Sequence, residues 1–266
     1  MSAQRRGPFV AVDVGNTRVK LGLFESAVGD PLPAPSKKLD LFPKDDAFEQ
    51  INAWLAPHTI GDVSWWVGTV ERAVAGRLIG WLRERGANRL TMIASGDLPL
   101  VVSLPRPDRV GIDRLLSALA ANQLREAGHP AIVVNLGTAI VVDLISAEGA
   151  FCGGAIMPGI TTSARAMHEF TDLLPLVEMW NLSEPPPPVG AATDEAMRAG
   201  LFWGAVGGAR ELIARQAAEL DTPPRIFLTG GAAPTVARLL SDSAEHVPHL
   251  TLAGIALAAA HVSANS

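Results

Sequence analysis

Two β-rich runs, residues 9–14 and 18–24, are separated only by Gly15-Asn16-Thr17, so the chain opens with a strand, a glycine turn and a returning strand. The pattern begins again further on: residues 131–135 read as an apolar strand, Gly137-Thr138 as a turn and residues 139–145 as a second strand. This weak internal repeat, followed each time by further helical and strand-like segments, predicts a duplicated α/β fold with a cleft between its halves.

The remaining periodicity fits that plan. Helical spacing covers residues 47–55, 73–85, 112–127, 158–170 (with Pro158 in the first turn), 194–220 and 234–240, and the Ala-rich stretch 252–262 reads as a terminal helix. Strands are expected at 63–70, 90–93, 100–102, 148–154 and 225–228, while 25–44 and 182–188 read as polar or Pro-rich loops. At 266 residues, 48% apolar and 18% charged, the chain can bury two cores, and the boundary is expected near 128–130, giving halves 1–128 and 129–266. A net charge of −5 without a long basic run argues against a nucleic-acid surface. Cys152 is the single cysteine, which excludes an internal disulfide or a Cys-based zinc cluster and fits a reducing compartment. No signal sequence is read at the start, and no apolar run reaches the roughly 18 residues of a membrane span. A cytoplasmic protein is expected.

Four segments carry chemistry. In Asp13-Val14-Gly15-Asn16-Thr17-Arg18-Val19-Lys20, glycine permits close backbone approach, small polar side chains donate hydrogen bonds, and a carboxylate can hold Mg²⁺ or its waters. These are the parts of a turn that wraps a polyphosphate; the other reading is an ordinary hairpin. Gly137-Thr138, with Asn135 before it and Asp143 after it, takes its meaning from the first, since two such hairpins can grip the β- and γ-phosphates from both sides of a nucleotide in the cleft. Leu228-Thr229-Gly230-Gly231-Ala232 runs a strand into a Gly-Gly turn before a helix, as a nucleotide site or as a simple connection. At Gly111-Ile112-Asp113-Arg114 a helix begins with adjacent Asp and Arg on different faces, one able to serve as base and the other to hold an anion; the bland reading is a helix N-terminal carboxylate beside a solvated Arg.

Taken together, these segments resemble type III pantothenate kinases, which open coenzyme A synthesis in many bacteria. The resemblance runs through Asp13-x-Gly-Asn-Thr-x-x-Lys-x-Gly-x-Phe24, Val110-Gly-Ile-Asp-Arg114 with Ala120-Ala121, Gly137-Thr138-Ala139, Gly153-Gly-Ala-Ile-Met-Pro158-Gly-Ile160 and Ala192-Thr193-Asp-Glu-Ala-Met-Arg-Ala-Gly200. It implies two duplicated ribonuclease-H-like domains of the actin/Hsp70/sugar-kinase ATPase type, and a homodimer. It further implies that residues 13–20 bind ATP with Asp13 organising Mg²⁺, that Thr138 contacts ATP, and that Asp113 takes the proton from the pantothenate hydroxyl. Gly111, Ile112, Asp113 and Arg114 would line the pantothenate site, with Arg114 facing its carboxylate, and Thr193 would contact pantothenate.

Two positions depart from the family. Asn135 stands where an Asp helps to hold a monovalent cation, K⁺ or NH₄⁺; the lost charge is worth roughly 4 kcal/mol gross at about 4 Å and an effective dielectric of about 20. Cation affinity falls, or the requirement is absent. Leu104 stands where family members often present Tyr to pantothenate, and this chain has no Tyr. A non-catalytic relative and a kinase for another small alcohol are therefore the alternatives. Trp65-Trp66 reads as core and interface, and His168 and His249 as structural or surface residues.

Overall fold

The computed structural model describes residues 7–27, 29–43, 46–179, 184–241 and 243–265. Lys44, Leu182 and Ser183, which fall in segments read above as loops, lie outside the described residues, as does Val28. The chain forms two compact units. One comprises the described residues of Met1–Val101, Pro105–Leu124 and Leu250–Ser266, the other Val102–Leu104 and Arg125–His249.

The first unit is built on strands β1 (Phe9–Val14), β2 (Val19–Phe24), β3 (Lys37–Leu41), β4 (Ser64–Thr69) and β5 (Leu90–Met92), in the order β3-β2-β1-β4-β5. Strands β1, β2 and β3 are antiparallel neighbours, whereas β1, β4 and β5 run parallel. Alternation along each strand assigns the faces. Val10, Val12 and Val14 lie opposite Leu23, Leu21 and Val19 and form one core with Trp65, Val67, helix α1 (Gln50–Leu55) and helix α2 (Arg72–Glu84). The other face carries Ala11, Asp13, Gly22 and Gly68, residues small enough for helices α3 (Ile112–Leu124) and α7 (Leu250–Ala264) to lie close: a Cβ on Gly68 would stand 2.9 Å from Leu116 Cδ1, and one on Gly22 would stand 3.3 Å from Leu252 Cδ1. With both faces covered, every residue of β1 is buried.

The second unit repeats the plan. Strands β6 (Ala131–Leu136), β7 (Ala139–Ile145), β8 (Phe151–Pro158), β9 (Arg225–Thr229) and β10 (Ala244–His246) are ordered β10-β9-β6-β7-β8, which is the first sheet's order with β6 in the place of β1. The directions match as well: β6, β7 and β8 are antiparallel neighbours, and β6, β9 and β10 are parallel. Ile132, Val134, Ile140 and Val142 pack with Phe202, Val206, Ala209 and Ile213 of α5 (Thr193–Ala218) and Val236 of α6 (Ala233–Leu240).

Several elements differ from the sequence reading. Strand β3 lies within the segment 25–44 expected as a loop; it is an edge strand whose Lys and Asp face solvent and whose Leu41 alone is fully buried, so its composition hides it. Residues 47–49 form a short 3-10 turn before α1. Residues 100–102 are not a strand: Val102 makes a single bridge to Phe151. Pro158 ends edge strand β8 instead of opening a helix, a place where its missing N–H costs no ladder bond, and α4 (Ile160–Glu169) starts after Gly159. Helix α7, placed with the second half by chain order, groups with the first unit, because its residues 250–256 are all buried against α3, β1, β2 and β4.

Trp65 is fully buried, and its indole N–H donates to Ile60 O at 3.0 Å. Trp65→Ala is expected to lower stability by about 3–5 kcal/mol, read as an earlier urea midpoint by circular dichroism.

Candidate active site

Register decides what the first hairpin presents. A turn limited to residues 15–17 would pair Val14 with Arg18 and turn Lys20 to the apolar face. The observed turn includes Arg18, closed by the Gly15 N–H donating to Arg18 O at 3.0 Å, and pairs Asp13 with Lys20 across the strands. The Lys20 ammonium lies 3.9 Å from the Asp13 carboxylate on the face that carries Gly68. Arg18 is drawn instead toward β3: its guanidinium is 3.5 Å from Asp40 and stacks over the Phe42 ring at 4.9 Å. Asn16 is exposed at the tip and Thr17 half-buried beside it. Val14 O accepts the Val70 N–H at 3.1 Å, which ties the end of β1 to the loop that follows β4.

Asp113 reaches the same place through packing. In the sheet Gly68 lies beside Asp13, and Leu116 of α3 seats on Gly68, so the first turn of α3 comes down next to the hairpin's carboxylate. The Arg114 N–H donates to Asp113 Oδ1 at 2.9 Å. A Cβ on Gly111 would stand 2.6 Å from Asp113 Oδ1, so a side chain there would push the carboxylate aside.

Burial dominates the electrostatics of both acids. Asp13, 8% exposed, is pushed up to about 6, chiefly by loss of water; Lys20 pulls it down, and Asp113 and Asp40 push it up further. Asp113 is also raised by burial, opposed by the Arg114 backbone N–H and by the charges of Arg114 and Lys20. Two carboxylates raised by burial near one ammonium favour a cation, and a raised Asp113 is a more effective proton acceptor than an ordinary aspartate. Among the described residues no group of three or more His, Cys, Asp or Glu is placed to hold a metal on its own. A magnesium ion held by one carboxylate and by substrate phosphates needs no such group.

The second hairpin has the same position but different chemistry. Asn135, next to last in β6 as Asp13 is in β1, lies opposite Val141 and beside Thr229. The Thr138 carbonyl accepts the Gly159 N–H at 3.0 Å and the Thr162 hydroxyl at 2.6 Å, which fixes the turn to the start of α4. Gly230 has φ of +99°, and a Cβ on it would stand 2.6 Å from Leu136 O, so the Gly-Gly turn closes onto the end of β6. Thr193 is on another element, exposed as the first residue of α5. Leu104 lies over Gly153, where a Cβ would be 3.2 Å from its Cδ2.

Two functional candidates went unnoticed in the sequence, Ser117 on α3 and Thr251 on α7. Both are buried hydroxyls, and their signal was a polar residue inside an apolar helical run. His168 is structural, its Nδ1 lying 2.9 Å from Leu174 O. Among the described residues no helix is long and apolar enough to cross a membrane.

Comparison with known proteins agrees with this geometry. Residues 9–215 match the family model of type III pantothenate kinase. The type III pantothenate kinase of Parafrankia sp. (strain EAN1pec) is 36% identical over 259 residues, covering 93% of this chain and 96% of the relative. That of Frankia alni is 34% identical over 262 residues, covering 93% and 97%. Among solved structures, a putative 2-dehydro-3-deoxygalactonokinase from Sinorhizobium meliloti superposes with a TM-score of 0.55 at 16% identity, over 97% of this chain and 99% of that one. This likeness concerns the fold, and with the two matching sheets it bears out the duplicated actin-like α/β architecture. With the family model spanning most of its length and these relatives matched almost end to end, the chain belongs to the type III pantothenate kinase family.

Proposed function

We propose that this protein transfers the γ-phosphoryl group of ATP to the primary hydroxyl of pantothenate, forming 4'-phosphopantothenate in the first step of coenzyme A synthesis. The observation that carries this reading is the placement of Asp113, on α3, within electrostatic range of the Asp13–Lys20 pair in the glycine hairpin. Residues 13–20 take the ATP phosphates, with the Gly15–Thr17 backbone approaching them closely and Lys20 opposing their charge. Asp13 is the residue that would hold Mg²⁺; its carboxyl is buried and raised to about 6, and a bound cation would favour its charged form. When bound, the ion neutralises charge on the transferring phosphoryl group. The pantothenate oxygen attacks the γ-phosphorus, the bond from that phosphorus to the ADP oxygen breaks, and the hydroxyl proton passes to Asp113. Alignment does most of the work in such a loose transition state, so one well-placed carboxylate is enough.

Family resemblance supports the remaining assignments: Gly111, Ile112 and Arg114 line the acceptor site with Arg114 toward the pantothenate carboxylate, Thr138 contacts ATP and Thr193 contacts pantothenate. It also supports a K⁺ or NH₄⁺ ion near Asn135, bound weakly because an amide oxygen replaces a carboxylate. A homodimer in the cytoplasm fits as well; the side chains of Phe170 and Leu173, 81% and 87% exposed, supply apolar surface for self-association. The presence of Asp13, Asp113 and Arg114 together speaks against a non-catalytic relative, and Leu104 leaves a different small alcohol as the alternative acceptor.

Coupled ADP release with pantothenate, with and without K⁺, tests the reading. Turnover is expected in both buffers, and Asp113→Asn is expected to lower kcat by about 10²–10⁴ with little change in KM for ATP. Absence of turnover with pantothenate in either buffer sinks the proposal. The raised Asp13 gives a second expectation. Because its folded value, about 6, exceeds the ordinary 3.8, the native state holds the proton more tightly, and the associated stability, complete at acid pH, is lost as pH rises from about 4 through about 6. Asp13→Asn should therefore raise stability at pH 7 by up to about 3 kcal/mol, a gain that fades below about pH 4, while abolishing turnover; thermal melts across pH measure it.

A further inference from the structure

The helix that carries Asp113 approaches its neighbours most closely at Leu116. Leu116 is held from two sides: its side chain rests on Gly68, and its carbonyl oxygen lies where a Cβ on Gly254 of α7 would come within 2.0 Å. Helices α3 and α7 thus meet backbone to backbone at this position. Next to it, Ser117 Oγ donates to the Asp113 carbonyl at 2.8 Å and lies 3.0 Å from Thr251 Oγ1. A serine hydroxyl has a single proton, and Ser117 gives it to Asp113, so Thr251 is the donor of the second bond. The result is a directed chain from the Thr251 hydroxyl to the Ser117 hydroxyl to the Asp113 carbonyl.

Packing alone does not call for this arrangement. Ser117 and Thr251 are 2% and 6% exposed, and they sit in an interface otherwise made of Leu, Ala, Ile and Gly. Buried hydroxyls cost free energy unless paired, and an apolar pair of similar volume would fill the space. The Ser117 bond to Asp113 runs back four residues within α3 and the Thr251 bond crosses to α7, so together they tie the first turn of α3 to α7.

We infer that Thr251 of α7, acting through Ser117, is a positioning residue for the Asp113 base. The inference rests on Asp113 having that role. The effect is on alignment, so it falls on the chemical step and not on ATP binding.

The test compares steady-state constants for the intact protein and for Thr251→Val, Thr251→Ser, Ser117→Ala and Asp113→Asn, with circular dichroism melts to establish folding. Thr251→Val and Ser117→Ala are expected to lower kcat about tenfold, since small misplacements of a catalytic group are costly. KM for ATP should stay within about twofold, and Thr251→Ser, which keeps the donor, should restore kcat to within about twofold of the parent. Should Thr251→Val not fold, Ser117→Ala carries the test, because it removes one oxygen and adds no bulk. Unchanged kcat in folded Thr251→Val and Ser117→Ala, or a Thr251→Ser as impaired as Thr251→Val, overturns the inference while a dead Asp113→Asn leaves the base assignment intact. Full activity in Asp113→Asn removes both.

Discussion

The Asp13 carboxylate stands 3.9 Å from the Lys20 ammonium on the neighbouring strand, beneath a layer of helices that takes it out of water. The surrounding features follow from keeping that charge buried and usable. Ala11, Gly22 and Gly68 lie on the sheet face around it, small residues over which α3 and α7 come down close enough to exclude solvent. That descent brings Asp113 into range, and its charge adds to the raised proton affinity of Asp13. An unliganded site of this kind is strained electrostatically, and binding of a cation relieves the strain.

Duplication reproduced the architecture without reproducing the Asp–Lys pair. Both sheets have the same strand order and directions. At equivalent places, however, the first unit presents Asp13 opposite Lys20 and beside Gly68, and the second presents Asn135 opposite Val141 and beside Thr229. The second hairpin joins its last ladder pair, Leu136 and Ile140, through residues 137–139, one residue fewer than the 15–18 turn between Val14 and Val19. One half of the repeat thus carries an acid–lysine pair at its hairpin and the other an Asn beside a turn held by backbone contacts to Gly159 and Gly230.

The two hairpins were legible in the sequence because β-branched runs broken by glycine have few other ways to fold. Asp13 and Asp113 could be picked out as chemistry-bearing residues, but their proximity could not. It depends on Leu116 seating on Gly68, a tertiary contact that no local pattern encodes. The extra turn residue, Arg18, was also hidden, though it decides which face Lys20 occupies. Helix α7 has apolar residues on every side, so its sequence names no partner, and chain order pointed to the wrong unit. Strand β3 and the short β10 failed for the opposite reason: their polar residues look like loop, and only pairing at a sheet edge makes them strands.

The central claim is that burial, with a second acid nearby, raises the Asp13 carboxyl from the ordinary aspartate range to about 6 in the ligand-free protein. Carbon-13 NMR titration of the Asp13 carboxyl in the ligand-free protein tests it most directly. The account predicts a midpoint near 6, moving well down when Mg²⁺ and nucleotide are added. A midpoint at about 4 in the free protein, unmoved by Mg²⁺ and nucleotide, would contradict it.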